Sequence, residues 1–194
     1  WERGVAWHGG ALAWADRPTT LRPPPGVWPD APFVPGTTTE IHPQAEAFIR
    51  TLAGVLQQGL ALFIDYGFPE AEYYLPQRHG GTLMCHQGHR ADGNPLADVG
   101  AKDITAHVNF TGIALAAQDA GLDVLGYTSQ GHFLINCGLM GLLEGSTLQQ
   151  RAAAQKLVTE HEMGELFKVI ALGRGLGDGF LPLGFLQGDR MHRL

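Results

Sequence analysis

The apolar run from Leu60 to Ile64, followed by Asp65-Tyr66-Gly67, constrains the fold more than any other feature of this sequence. Five consecutive apolar residues have the length and continuity of a strand that is buried on both faces, as in a parallel sheet. Ligands of such sheets bind beyond the carboxyl ends of the strands. A carboxylate at that position is costly to bury unless it is paired or functional. The segment therefore predicts one wall of an active cleft.

Helical and strand-like segments alternate along the rest of the chain. A helix is predicted from Pro43, which suits a first turn, to a stop at Gly59. Further strands are predicted at 122–127 and 166–172, with a fourth, antiparallel strand at 180–186. A turn and a helix are predicted at 103–121, a further helix at 130–143, and another from a capping box at Ser146 and Gln149 to about residue 160. This alternation predicts an α/β fold with a parallel or mostly parallel sheet and helices on its faces.

Two segments stand apart from this alternation. Residues 1–17 predict a β-hairpin in which Val5, Trp7, Leu12 and Trp14 flank a Gly9-Gly10 turn, and residues 18–38 predict an irregular Pro-rich loop. Residues 68–102 show little periodicity. A structureless connection of that length in a compact domain is usually a functional loop.

Charge and composition exclude several classes of function. The net charge of −6 argues against a nucleic-acid partner. No apolar run approaches membrane-spanning length. Two cysteines are too few for a disulfide scaffold, so Cys85 and Cys137 are interpreted as reduced thiols in a cytosol-like compartment.

The segment after the first strand supplies candidates for chemistry. Asp65 could orient a substrate amine or guanidinium, or accept its proton, and the alternative is a carboxylate that caps a helix. Tyr66 could line the cleft, and Gly67 permits a close approach of the backbone.

Histidines in the polar connection offer a second set. His86 and His89, with Cys85 adjacent and His107 downstream, suggest zinc, but the paired-Cys or helical context of a specific zinc motif is missing. Hydrogen bonding to a loop or a substrate is favoured, and no metal is predicted. The alternating Asp103, Thr105, His107 and Asn109 either line the cleft or include a helix cap.

The glycines at 173–179 imitate a dinucleotide fingerprint, but Phe180-Leu181-Pro182 follows them and not a helix. A flexible loop is therefore predicted.

Several separated motifs agree, in order, with one known family. They are 62–67, 81–83, His86-x-x-His89, 103–110, 126–130, Phe133-Leu134 and 163–169. With these motifs the chain resembles the MidA-like S-adenosylmethionine-dependent methyltransferases.

The resemblance implies a Rossmann-like class I methyltransferase sheet with helices on both faces, and S-adenosylmethionine as cofactor. Mitochondrial members of the family methylate an arginine of a respiratory complex I subunit during assembly of that complex. The implied acceptor is therefore a protein, with a respiratory complex subunit as the candidate. The implied location is the cytoplasm for a bacterial protein and the mitochondrial matrix for eukaryotic relatives.

The sequence also departs from the family pattern. The glycine-rich cofactor motif and the acidic residue that grips the cofactor ribose are not found in this sequence, so the cofactor-binding residues are expected upstream. The chain is interpreted as the C-terminal portion of a single methyltransferase domain, with 1–38 as an insertion and 39–194 as the helix-strand part. We expect it to be inactive alone. Gln87-Gly88 and Asn109 differ from the residues common in relatives, which bears on substrate preference.

The resemblance and the residues together give the candidate site. The catalytic candidates are Asp65, His86, His89 and Asp103, and the substrate-binding candidates are Glu40, Tyr66, Gly67, Thr105, His107 and Gln130. Two alternatives stay open: a non-enzymatic assembly module and a zinc hydrolase. A homodimer is possible, because a half-domain exposes a sheet edge.

Overall fold

A computed structural model describes residues 1–24 and 33–194. The described residues form two compact units, one comprising Trp1–Ile41 and Tyr74–Ala106 and the other His42–Tyr73 and His107–Leu194. In chain order the elements are β1 Glu2–His8, β2 Ala11–Arg17, α1 Pro43–Val55, β3 Gly59–Phe68, α2 Glu70–Tyr73, β4 Met84–Gln87, β5 Arg90–Asp92, β6 Asp103–Thr105, β7 Val108–Asn109, α3 Phe110–Asp119, β8 Asp123–Ser129, α4 Gln130–Asn136, α5 Leu139–Leu142, α6 Leu148–Val158 and β9 Phe167–Arg174.

The first unit contains the predicted hairpin, which the structure confirms. Strands β1 and β2 pair antiparallel, with Val5 opposite Trp14. The turn is Gly9-Gly10 with φ of 59° and 86°, and two successive positive φ values favour glycine at both positions. The Pro-rich loop forms no helix or strand at 18–24 and 33–38, and its remaining residues lie outside the described part of the chain.

The first unit also contains a sheet that the sequence did not predict. Strands β5, β4 and β6 form an antiparallel sheet in that order, so the expectation of a structureless connection over 68–102 is wrong. The physical reason is the size and polarity of the strands. Each has three or four residues, too few for an alternating pattern to stand out, and Cys85 is their one fully buried side chain.

The second unit is built on a sheet with the strand order β7-β3-β9-β8. Strand β9 runs antiparallel to both β3 and β8, so β3 and β8 are parallel to each other. The fold is therefore mixed α/β: β7, β3 and β8 run in the same direction, and β9 alone is reversed, so two of the three strand pairings are antiparallel. Strand β9 enters the sheet at the edge where β8 ends, because Ser129 pairs with Lys168. The connection from β8 to β9 therefore begins and ends at the same edge of the sheet and does not cross it.

Helices cover the two faces of this sheet unequally. On one face α1 and α3 pack over Phe63, Ile170 and Leu172. On the other face Phe133 and Phe185 cover Val169 and Ala171 of β9. On that second face of β3, Leu60, Leu62 and Ile64 are 39%, 39% and 45% exposed. The predicted burial of this strand on both faces is therefore wrong within the described residues, since the covering side chains reach only β8 and β9.

Helix boundaries differ from the prediction where a cap or a glycine intervenes. Helix α3 begins at Phe110, because the side-chain Oδ1 of Asn109 accepts hydrogen bonds from the Thr111 and Gly112 amides. Residues 103–105 form a strand. The predicted helix 130–143 is interrupted at Gly138, whose φ is 90°.

Three more differences lie in the same unit. The capping box is formed by Thr147 and Gln150, one residue later than predicted. The predicted strand at 180–186 is wrong, since Leu183–Phe185 form a short 3-10 helix after Pro182. Helix α1 ends at Val55 and not at Gly59, which already begins β3. No helix among the residues described is both long enough and apolar enough to cross a bilayer.

Candidate functional site

Polar and aromatic side chains gather at one edge of the second unit's sheet. Strands β3 and β8 end there, at Phe68 and Ser129, and β9 begins there at Phe167. The carboxyl ends of neighbouring parallel strands are where ligands bind in α/β sheets. We therefore take this edge as the candidate site.

Four rings form what we call the aromatic wall: Tyr66, Phe68, His107 and Phe167. The Phe68 and His107 rings are stacked, with centroids 4.9 Å apart and planes at 5°. The Tyr66 and Phe167 rings lie 4.0 Å apart, and Tyr66 is 6.0 Å from His107. All four side chains are half-buried. Half-buried ring faces suit planar or cationic ligands.

Gly67 explains how β3 and β7 come so close beside the wall. A Cβ atom at this position would lie 2.3 Å from the Val108 carbonyl oxygen and 2.6 Å from the Phe110 ring. The predicted close backbone approach is confirmed, and the approaching groups belong to the protein itself. Asp65, Tyr66 and Gly67 lie within β3, which continues to Phe68, and not beyond its end.

Lys168 is a buried charge behind the aromatic wall. Its side chain is 6% exposed, and its Nζ lies 5.8 Å from the centroid of the Phe68 ring. The Nζ donates a hydrogen bond to the Glu165 backbone oxygen and lies 3.4 Å from Glu165 Oε1. Burial lowers the pKa of the Lys168 amine, and the opposing charge and hydrogen bond of Glu165 do not cancel this effect.

Glu165 joins this lysine to an arginine from the C-terminal segment. Arg190 donates two parallel hydrogen bonds to the Glu165 carboxylate, at 2.5 and 3.0 Å. Burial opposes ionisation of Glu165, but the Arg190 hydrogen bond and the charges of Lys168 and Arg190 outweigh it. The pKa of Glu165 therefore lies below its ordinary value.

Tyr127 of β8 brings a buried hydroxyl to the same region. Its side chain is 1% exposed, and within the described residues the hydroxyl has no hydrogen-bond partner. Burial raises the pKa of Tyr127, and the negative charge of Glu72 raises it further. This hydroxyl therefore stays protonated over the ordinary pH range.

The other predicted residues of the second unit occupy different environments. The exposed Asp65 side chain accepts a hydrogen bond from the Tyr66 backbone N–H at 2.8 Å. Gln130 is buried and donates to the Leu157 carbonyl at 2.9 Å, which ties α4 to the end of α6. Their roles toward a substrate stay predictions.

Four of the predicted residues lie on the small sheet of the first unit. His86 and Asp103 are direct cross-strand partners with exposed side chains, so the structure brings these two together. His89 lies in the turn between β4 and β5 with a φ of 62°. The Thr105 hydroxyl donates to the Met84 carbonyl of the neighbouring strand at 3.4 Å.

Glu40, also in the first unit, holds a loop in place. Its carboxylate accepts hydrogen bonds from the Thr82 and Leu83 amides at 2.8 and 3.1 Å. Gly81 is required beside it, because a Cβ there would lie 2.3 Å from Glu40 Oε1. The contact of Glu40 with a substrate stays a prediction.

Metal ligands do not cluster in the part of the chain that the structure describes: no three His, Cys, Asp or Glu side chains are placed to hold an ion. The two cysteines are unpaired, Cys85 buried and Cys137 exposed.

Sequence reasoning missed Lys168, Glu165, Arg190 and Tyr127 as site residues. A signal existed for Lys168, since it is the one charged residue inside the apolar stretch from Leu166 to Leu172. No local pattern points to Arg190, which reaches Glu165 from 25 residues away in the chain.

Comparisons with known proteins agree with one another. Two crystal structures from Burkholderia thailandensis are similar to this chain at 46% identity, with TM-scores of 0.90 and 0.89. One is of a COG1565 superfamily member described as a "likely methyl transferase", bound to S-adenosyl-homocysteine, and the other is a native structure of a COG1565 superfamily protein. Each match covers 99% of this chain and 51% or 53% of the other, so this chain spans about half of their length.

No curated protein matches the chain. Residues 1–128 match the model of a family described as "Putative S-adenosyl-L-methionine-dependent methyltransferase". S-adenosylmethionine is the cofactor of that family. With 128 of its 194 residues matched, the chain belongs to the family so described.

Proposed function

We propose that this chain forms the acceptor-facing part of an S-adenosylmethionine-dependent methyltransferase. The observation that carries the proposal is the aromatic wall at the carboxyl ends of β3 and β8, with Lys168 buried behind it. Family membership and the S-adenosyl-homocysteine bound to a 46% identical protein support the reaction class.

The sheet is proposed to be part of a Rossmann-like methyltransferase sheet. Two features support this. Strands β3 and β8 are parallel with β9 antiparallel between them, and helices lie on both faces. A site at the carboxyl ends of the parallel strands agrees with the general rule for such sheets.

The described residues fit one side of the cofactor and not all of it. Two of the strand-to-helix turns in the second unit use their own side chains as caps: Asn109 accepts from the amides that begin α3, and Ser129 from the His132 amide of α4. Neither turn leaves a glycine-rich set of free amides for a nucleoside. The aromatic wall, in contrast, suits the sulfonium end of the cofactor and a flat acceptor.

The proposed acceptor is the guanidinium of an arginine in a protein. A planar cation stacks favourably on aromatic faces, and an exposed carboxylate, Asp65, precedes Tyr66 of the wall. The cofactor supplies a methyl group, so a nitrogen–carbon bond forms as the sulfonium carbon–sulfur bond breaks, and S-adenosyl-homocysteine leaves. The nitrogen then releases one proton, for which Asp65 is the proposed acceptor.

Positioning is the main contribution of this chain to the reaction. Methyl transfer requires the nucleophile in line with the sulfonium and water kept away, and little covalent chemistry from the protein. The stacked pair Phe68 and His107 offers a flat surface for orientation, and the Lys168 amine, which is ion-paired with Glu165, lies 5.8 Å from the centroid of the Phe68 ring.

A methylation assay with matched peptides tests the proposal. The complete polypeptide that contains this chain is incubated with S-adenosylmethionine carrying a tritiated methyl group and either of two peptides, identical except for Arg or Lys at one position. We expect label on the Arg peptide and an equal amount of S-adenosyl-homocysteine. Label on neither peptide would overturn the proposed activity, and label on the Lys peptide alone would overturn the proposed acceptor.

A further inference from the structure

The hairpin of β1 and β2 is exposed on both faces. Trp7 is 71% exposed, Val5 51% and Trp14 45%. A two-stranded ribbon alone is marginally stable in water, whereas three or more strands with an apolar face are stable. An uncovered apolar ribbon of this kind marks an interaction surface.

One face of the hairpin is apolar at its centre and neutral at its end. The register places Val5 opposite Trp14 and Trp7 opposite Leu12 on this face. At the end away from the turn, Arg3 pairs with Asp16 at 2.9 Å, which neutralises both charges. Such a face suits another protein surface better than a charged ligand.

Among residues 1–24 and 33–194, strand β1 pairs only with β2, so its outer edge is available for pairing. His8 and Ala11 flank the two-residue turn and form a hydrogen-bonded pair, so bonded and non-bonded pairs alternate from there. By this alternation the backbone N–H and C=O groups of Arg3, Val5 and Trp7 point away from β2. Strand β1 contains no proline, lysine or bulge, the features that normally protect an edge.

We propose that β1 pairs antiparallel with β1 of a second copy of this chain, about a two-fold axis at Val5. This register makes the outward groups of Arg3, Val5 and Trp7 meet the same groups of the second copy. Arg3 then lies opposite Trp7 of the other copy, a cation–π pair, and Glu2 lies opposite His8. No like charges face each other. The product is a four-stranded sheet with one continuous apolar face.

The edge of β2 is a poorer match for itself. A two-fold axis at Trp14 would place Asp16 opposite Leu12 and Arg17 opposite Ala11. Each pair would bury a charge against an apolar side chain. The self-complementary edge is therefore β1.

A disulfide trap tests the register. In a Cys137→Ser background, which removes the exposed native thiol, Val5→Cys places two cysteines directly opposite each other across the two-fold axis. Paired strand residues lie about 5.5 Å apart in Cα, within the range for a disulfide. We expect a covalent dimer of twice the 20.9 kDa chain mass on mild oxidation. Trp14→Cys, the matched control on β2, should form no covalent dimer, because its two cysteines do not face each other across the axis.

Sedimentation equilibrium tests the interface without a covalent bond. The Val5 N–H points outward, so Val5→Pro removes one donor per copy from the interface and leaves the bonds to β2 intact. We expect the wild type to dimerise and the proline variant to have a dissociation constant about tenfold higher or more. The proposal is overturned by a monomeric wild type, by equal dimerisation of Val5→Pro, or by cross-linking of Trp14→Cys as efficient as that of Val5→Cys.

Discussion

Replacing Glu165 by Gln should destabilise the second unit, because Glu165 is the acid shared by Lys168 and Arg190. The Lys168 and Arg190 side chains are 6% and 21% exposed, and Glu165 itself is 35% exposed. Removing one partner of a fully buried pair costs about 3–5 kcal/mol, and an exposed pair contributes about 0–1 kcal/mol. The partial exposure of Glu165 places the expected loss between these limits, at about 1–3 kcal/mol.

The effect should depend on pH in a defined direction. The pKa of Glu165 is lowered from its ordinary 4.5, so its contribution to the free energy of unfolding is fully present above pH 4.5. That contribution is lost as the pH falls from 4.5 through the lowered pKa. The difference between the wild type and Glu165→Gln should therefore shrink in the same range.

Urea unfolding followed by far-UV circular dichroism measures this loss. Tryptophan fluorescence would miss it, because all four tryptophans lie within residues 1–28, outside the second unit. Lys168→Met is the matched control, since an apolar side chain needs no counter-charge. Adding Glu165→Gln to it should cost less than in the wild type. An unfolding free energy of Glu165→Gln equal to that of the wild type near neutral pH would refute the reasoning.

Two further substitutions test the packing around the site by the same unfolding measurement. Gly67→Ala should lower the unfolding free energy by about 1–3 kcal/mol, since its Cβ would lie 2.3 Å from the Val108 carbonyl oxygen. Gly54→Ala is the control in a helix with open space around it, and it should raise the unfolding free energy by about 0.5–1 kcal/mol. Equal effects of the two substitutions would contradict the close approach at Gly67. Tyr127→Phe removes a buried hydroxyl that has no partner among the described residues, so the unfolding free energy near neutral pH should stay within about 1 kcal/mol. Because the pKa of Tyr127 is raised from 10.0, the wild type should lose stability above pH 10 more steeply than this variant; parallel curves would argue against that shift.

Much of the fold follows from local chemistry. The Gly9-Gly10 turn between alternating side chains specifies the hairpin, and the apolar run from Leu60 to Ile64 specifies β3. The direction of β9 does not follow from local chemistry. An apolar sequence is compatible with a strand of either direction. The antiparallel orientation of β9 is apparent only from its pairing, in which Lys168 lies opposite Asp65 of β3 and Ser129 of β8.

The candidate site was predictable only where its residues adjoin a local sequence pattern. Tyr66, Gly67 and His107 adjoin a recognisable strand or motif, and the structure brings them together at one edge. Arg190 reaches Glu165 only because the C-terminal segment bonds along β8, where its amide donates to the Tyr127 carbonyl at 2.6 Å. Long-range contacts of this kind leave no periodic trace in the sequence.

The central claim is that the aromatic wall holds the methyl acceptor, and initial-rate kinetics of Phe68→Leu in the complete polypeptide test it most directly. Loss of a cation–π contact of about 0.5–2 kcal/mol predicts an acceptor KM that rises by about 2–30-fold, with little change in affinity for S-adenosylmethionine. Phe48→Leu, the same change at an exposed ring on α1, should leave both unchanged. An acceptor kcat/KM unaffected by Phe68→Leu, in a variant that folds normally, would contradict the account.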